Sequence, residues 1–385
     1  MRLPCELLIA MSNQLSTLLP LIEPGLSREL VTNEALTGIR SLMAHLPILS
    51  GGGFECPLGT QRGPVDMAMR VTESDGGFTF LAAWQPRGGH NGWEAMREFA
   101  RNQKECKLRD AVQEAWLEFD LDASIEGLVA PNFFFKLEPY FAKPTIFGPS
   151  ADARLKETVG TINRCLSLLG IELSEVGRAM LEHCVKCLPA SSDVAFVGAM
   201  LQRGRSACRL TLGNMPLSEL TAYLHKIGWA HRHEPLIPII DLMGRHVRSV
   251  ALHVDVSERP LGRIGMEVKP DAKAGGTGAW ESFLLELVAA GLCTRANVES
   301  ILGWPGRMHR SSFEGTWPAV LGREHNYFVR SINHIKLSYD PALLPSFAWT
   351  HQPLITRAAT GMLTAKAYLA FNYSTVFPHP ALWHG

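Results

Sequence analysis

Seven basic residues, Arg70, Lys136, Arg209, Arg263, Lys269, Lys336 and Lys366, fall on the polar faces of segments whose polar and apolar residues alternate, and Tyr368 shares the face of Lys366. Cationic groups that converge from several strands can hold an anion and stabilise negative charge developing on a leaving group such as diphosphate. Glu55 follows a run of three glycines and is the carboxylate best placed to act among them. It serves as a base if an apolar surround raises its pKa, or as the acceptor of an N–H hydrogen bond. The ring face of Tyr368 is suited to covering a cation. The same faces carry Asp66, Glu118, Asp120, Glu138, Asp255 and Glu267, so a second reading stands beside the first. In it the charges pair with one another and fix strand register, Glu55 is a surface loop carboxylate and Tyr368 is a packing residue.

Other chemistries find less support. Asp120-Leu121-Asp122 has the D-x-D spacing that places two carboxylates on one strand face for Mg²⁺ at a diphosphate, but the pattern is short and no D-D-x-x-D accompanies it. Cys184-Val185-Lys186-Cys187 is a C-x-x-C without the second ligand pair of a zinc site, and it reads as one packed helix face. His231 and His233 lack the spacing of a zinc-protease helix and read as polar loop residues. No phosphate-binding P-loop, strand-bound G-x-G-x-x-G or G-x-S-x-G elbow occurs, and Gly51–Gly53 reads as a flexible turn into the first strand.

Five strand pairs must position the charged faces. They are Phe54–Leu58 with Val65–Val71, Ala115–Leu121 with Asn132–Glu138, Val194–Leu201 with Ala207–Gly213, Val250–Val256 with Arg263–Lys269, and Asn333–Tyr339 with Ala365–Phe371. Phe78–Trp84 is a further strand candidate. Helical periodicity fills the spaces between them, at Ser27–Leu46, Ala153–Leu169, Ser174–Leu188, Leu217–Ile227 and Trp280–Ala290. Each strand has one apolar face for the helices to cover and one polar face for water or an interior. An open sheet satisfies this, and so does a closed barrel. Closure removes both edges, and ten strands leave a lumen wide enough for a ligand. Two loops stand out, Pro270–Gly278 and Gly303–Gly322, the second carrying Trp304, Arg307, His309, Arg310 and Trp317 as a candidate rim of a substrate mouth.

The chain has 385 residues, and 37 basic residues balance 37 acidic ones, which leaves no excess of positive charge for a nucleic-acid partner. With 46% hydrophobic residues it can build a large core. No apolar run approaches a membrane span, the first residues lack the pattern of a signal peptide, and eight scattered cysteines suit a reducing, cytoplasmic setting.

In its order of elements the chain resembles the ABBA barrel of aromatic prenyltransferases, above all the indole, dimethylallyl-tryptophan-synthase-like ones. Glu55 sits where that family has its first-strand Glu, and Arg70 where it has a diphosphate-binding Arg. Lys136 matches the Lys of a K-x-Y pattern whose Tyr is replaced by Glu138. Arg209 opens an R-x-K-x-Y in which Thr211 and Gly213 stand for the Lys and Tyr, and Lys366-Ala367-Tyr368 keeps a K-x-Y. The resemblance implies an α/β fold: a ten-stranded antiparallel barrel of five αββα units with helices outside. It implies one barrel domain over residues 28–372, between an N-terminal segment (1–27) and a tail (373–385). It further implies transfer of a prenyl group from its diphosphate to an aromatic small molecule or peptide side chain, as in natural-product biosynthesis, with Glu55 as base. Arg70, Lys136, Arg209, Arg263, Lys269, Lys366 and Tyr368 would then hold the diphosphate. No cofactor is required, and Mg²⁺ is optional. Two alternatives remain open: another lumenal chemistry on the same barrel, or a barrel that binds a peptide or metabolite without changing it.

Overall fold

Alternating side chains give each strand two unlike faces, and the strand pairing shows what covers them. A computed structural model describes residues 14–60, 63–74, 76–84, 91–105, 108–121, 130–139, 151–201, 207–231, 233–270, 277–318, 321–322, 326–343 and 362–374. Its strands are β1 (Gly51–Pro57), β2 (Asp66–Thr72), β3 (Glu114–Phe119), β4 (Asn132–Lys136), β5 (Asp193–Ala199), β6 (Cys208–Pro216), β7 (Ser249–Val256), β8 (Pro260–Val268), β9 (Gly306–His309), β10 (Tyr327–Tyr339) and β11 (Leu363–Ser374). Strands β1 to β8 pair in sequence, β8 pairs with β10, β10 with β11, and β11 with β1. Every pairing is antiparallel, so ten strands close a barrel without a free edge. Strand β9 lies beside the first half of β10, where β8 does not reach.

Helices separate successive strand pairs. α1 (Asn33–Met43) precedes β1, and α2 (Gly77–Ala83) and α3 (Asn91–Glu105) follow β2. α4 (Ala151–Leu168) and α5 (Glu175–Lys186) follow β4, while α6 (Leu217–Lys226) and α7 (Ile237–Gly244) follow β6. α8 (Thr277–Ala289) and α9 (Arg295–Gly303) follow β8. The Ser174 hydroxyl starts α5 by accepting from the Gly177 N–H, and a Thr294/Asn297 capping box starts α9. Leu181, Leu220 and Phe283 of these helices share one buried cluster with Leu117, Leu210 and Leu369 of the strands. The helices therefore cover the barrel's outer face, and the polar faces turn inward.

On some strands the inward face is less buried than the outward one. Along β3 the outward Ala115, Leu117 and Phe119 are buried while the inward Glu114, Trp116 and Glu118 are only partly so. On β11 the outward Ala365, Ala367, Leu369 and Phe371 are likewise buried, and the inward Lys366 and Tyr368 are partly accessible. Water thus reaches the lumen at these positions, whereas the inward Asn132, Phe134, His253, His334 and Lys336 are buried.

Four expectations are corrected. Phe78–Trp84 is not a strand. Gly76, at φ 73°, turns the chain into α2, which buries Phe78, Phe80 and Leu81. Gly51–Gly53 is not a flexible turn but the buried start of β1, where a Cβ on Gly53 would stand 2.7 Å from the Leu369 carbonyl oxygen. Glu55 is no surface carboxylate, being 5% exposed within β1. Trp304 rims no mouth: it is fully buried outside the barrel, and its indole N–H reaches the carbonyls of Ser331 and Ala370. Part of the Pro270–Gly278 loop lies outside the described residues.

Candidate functional site: the barrel lumen

Register brings the inward charges into rows. Glu55 stands opposite Asp66 on one side and Tyr368 on the other, and Tyr368 stands opposite His334. A bulge at Asn333 shifts β10 by one residue, so that Ser331 before it and His334 and Lys336 after it all face inward. A second row runs Lys366, Lys336, Glu267. A third runs Arg70, Trp116, Phe134, Gly198, Arg209, Asp255.

The charges are mostly paired. The Lys366 ammonium lies 2.9 Å from Glu55 and 2.9 Å from Asp66. Arg209 makes a two-pronged pair with Asp255 at 2.6 and 2.9 Å. Glu114 receives Arg70 at 3.1 Å and Lys136 at 3.6 Å. His253 meets Glu267 at 2.7 Å, and His334, stacked on Tyr368 at 3.9 Å between ring centroids, approaches the same carboxylate at 3.5 Å.

One ammonium between two carboxylates divides their behaviour. Burial works against charge on Glu55, but Lys366, Lys336 and the Tyr368 hydroxyl outweigh it and hold Glu55 at about 2. Burial raises Asp66 to about 6, helped by the neighbouring Glu55 charge. Burial and Glu55 also raise Glu118 to about 7. The low basicity of Glu55 is the reverse of what a proton acceptor needs. Glu118 titrates near neutrality and suits that work better. Burial lowers His253 to about 4 and His334 to about 3, so both rings are neutral at pH 7.

The Glu118 shift sets a stability test. Its folded pKa near 7 lies above the ordinary 4.5, so the folded state binds the extra proton between those values. That contribution to stability is complete at the acidic end and is lost as pH rises through 7. Glu118→Gln should therefore unfold at higher denaturant than wild type at pH 8, and the gap should close towards pH 4.5. A gap independent of pH contradicts the assignment.

The structure brings Glu55, Arg70, Lys136, Arg209, Lys366 and Tyr368 into the lumen. It leaves Arg263 and Lys269 exposed, the latter one residue beyond the end of β8. Lys336, Glu118, Glu267, His253 and His334 join the site without a motif to mark them, and strand parity alone carried their signal. Asp120 accepts a bond from Asn132 at 3.3 Å, and Asp122 lies outside the described residues. Among the described residues, no three His, Cys, Asp or Glu side chains are grouped to hold a metal. Glu138 lies past the end of β4. His183 contacts the Lys226 carbonyl at 2.9 Å beside the buried Cys184, and His231 and His233 pack on Trp229. Among the described residues, no helix is long and apolar enough to cross a membrane.

No protein-family model and no curated protein matches the chain. Among solved structures, one of 6-dimethylallyl tryptophan synthase is similar over 85% of this chain and 83% of its own, at 13% sequence identity and a TM-score of 0.47. The closed barrel itself rests on the strand register above.

Proposed function

We propose that the lumen is the active site of a transferase that moves a prenyl group from a prenyl diphosphate to an aromatic small molecule or peptide side chain. The observation that carries this reading is the convergence of Arg70, Lys136, Arg209, Lys336 and Lys366, from five strands, on a water-reached interior walled by Trp116, Phe134, Phe196 and Tyr368. The allylic C–O bond breaks and its electron pair leaves with the diphosphate, which the cations stabilise. The aromatic walls shelter the carbocation. The acceptor ring supplies the pair for the new C–C bond, and its ring proton passes to ionised Glu118. Glu55, held charged, is the acceptor for a ring N–H. Side chains meet the diphosphate charge, so the reading needs no cofactor, and Mg²⁺ is an arm of the test. Six described cysteines are free thiols, which fits a cytoplasmic setting.

A second reading is favoured by the ion pairs: Arg70, Lys136, Arg209 and Lys366 already have carboxylates within 4 Å. Such a lumen suits a different chemistry, or simple binding of a polar metabolite or peptide. Calorimetry with dimethylallyl and geranyl diphosphates, with and without Mg²⁺, separates the two. As pH falls from 8 to 6, Glu118 and then Asp66 take up protons, the lumen gains positive character, and donor binding should tighten. Lys136→Ala should weaken it. No heat with either donor at both pH values, from folded protein, leaves only the second reading.

A further inference from the structure

Lys336 differs from the other lumenal cations. It is 8% exposed, yet among the described residues no carboxylate lies within ion-pair distance of its ammonium. Its contacts are the Tyr368 hydroxyl at 3.4 Å and the Tyr368 ring at 5.8 Å. A glycine diagonal to it on β8, two residues from the opposite Glu267, gives its stem room: a Cβ on Gly265 would stand 2.9 Å from the Lys336 Cε and 3.3 Å from the His253 Cβ. The stem therefore passes close to Gly265 of β8 with its nitrogen beside the Tyr368 hydroxyl of β11, and the neighbouring cation, Lys366, is the one that carries the counter-ions.

We infer that Lys336 is an amine nucleophile that captures a small aldehyde or ketone in the lumen as an imine, an activity separate from prenyl transfer. The nitrogen lone pair forms a C–N bond to the carbonyl carbon, and the C=O π pair moves to oxygen. The carbinolamine then loses that oxygen as water, with the two protons the amine gives up, and C=N remains. No oxidant or reductant enters. The Tyr368 hydroxyl is positioned to pass a proton between nitrogen and oxygen. Burial pulls the Lys336 pKa below the ordinary lysine range, and Arg209 pulls it further. Glu55, Glu118 and Glu267 act in the opposite direction without reversing it. Lys366 and Tyr368 face it from β11, and His253 and His334 complete the titratable groups around it.

The test uses the whole protein and pentane-2,4-dione, a 1,3-diketone whose imine rearranges to an enaminone seen by its ultraviolet absorbance. Peptide mass mapping of the wild type should find Lys336 modified severalfold faster at pH 7 than the exposed Lys186 and Lys226, because burial favours its neutral amine. Its rate should level off as pH rises through its lowered pKa. Lys336→Arg should lose the fast absorbance phase. Modification spread over the exposed lysines, with Lys336 slower or untouched, overturns the inference, and so does a Lys336 rate that rises in parallel with theirs. The mapping is done on wild type, so a variant that fails to fold does not obscure it. Neither readout uses a prenyl donor, so failure of donor binding leaves this result standing and the reverse also holds.

Discussion

Replacing Lys366 with methionine should lower the unfolding free energy by about 3–5 kcal/mol at pH 7, the usual effect of stranding buried charge. Lys366 is the ammonium between Glu55 and Asp66, which are 5% and 4% exposed. Without it, β1 and β2 present two carboxylates to each other directly across the sheet. The effect has a pH signature. In wild type, Glu55 ionises near 2 instead of 4.5, so its contribution is full above 4.5 and is lost as pH falls towards 2. The penalty of Lys366→Met should therefore shrink as pH falls from 4.5 towards 2, where Glu55 of the wild type also becomes neutral. Adding Glu55→Gln and Asp66→Asn should recover most of the loss at pH 7. Urea unfolding followed by circular dichroism reads all of this. A loss below about 1 kcal/mol, the range of an exposed pair, would mean that the triad is solvated and not structural.

The second large effect is expected at Trp304. The indole is fully buried, and its N–H is shared at 3.1 Å between the carbonyls of Ser331 on β10 and Ala370 on β11. The ring meets Phe54 of β1 edge-on with centroids 6.2 Å apart, and the Arg330 guanidinium lies 5.2 Å from its centre. One side chain thus ties together the three strands at which the barrel closes. Trp304→Ala should cost about 3–5 kcal/mol through the cavity and the lost donor. Trp304→Phe keeps most of the volume and should cost less. Near-equal losses for the two variants would assign the effect to the hydrogen bonds and not to packing.

Much of the barrel was legible because the relevant signal is local. The period-2 pattern in Ala115–Leu121 and Ala365–Phe371 separates the two faces without knowledge of the partner strand. The same aromatic and apolar richness misled at Phe78–Trp84, where seven residues are too few to separate a buried helical turn from a strand. The sequence pattern does not mark the helices Asn91–Glu105, Ile237–Gly244 and Arg295–Gly303, the first because its mostly polar composition hides the buried Trp93, Met96 and Phe99. For the site, parity placed the basic residues inward but gave no sign of which carboxylate each would meet. Lys366 and Asp66 are 300 residues apart and become neighbours only because the last strand pairs with the first. That closure also decides the chemistry of Glu55, since Lys366 turns an expected base into a carboxylate charged at any moderate pH. The same event leaves Lys336 without an ion pair among the described residues, because its neighbour Lys366 takes both Glu55 and Asp66.

The central claim is that the polar lumen is where a prenyl diphosphate binds. A crystal soaked at saturation with the non-ionising thiolodiphosphate analogue of dimethylallyl diphosphate tests it most directly. The account predicts the diphosphate within hydrogen-bond reach of Arg209 and Lys336, with the prenyl tail against Trp116 and Phe134. An analogue bound only on the outer surface, or an empty lumen at saturation, would contradict it.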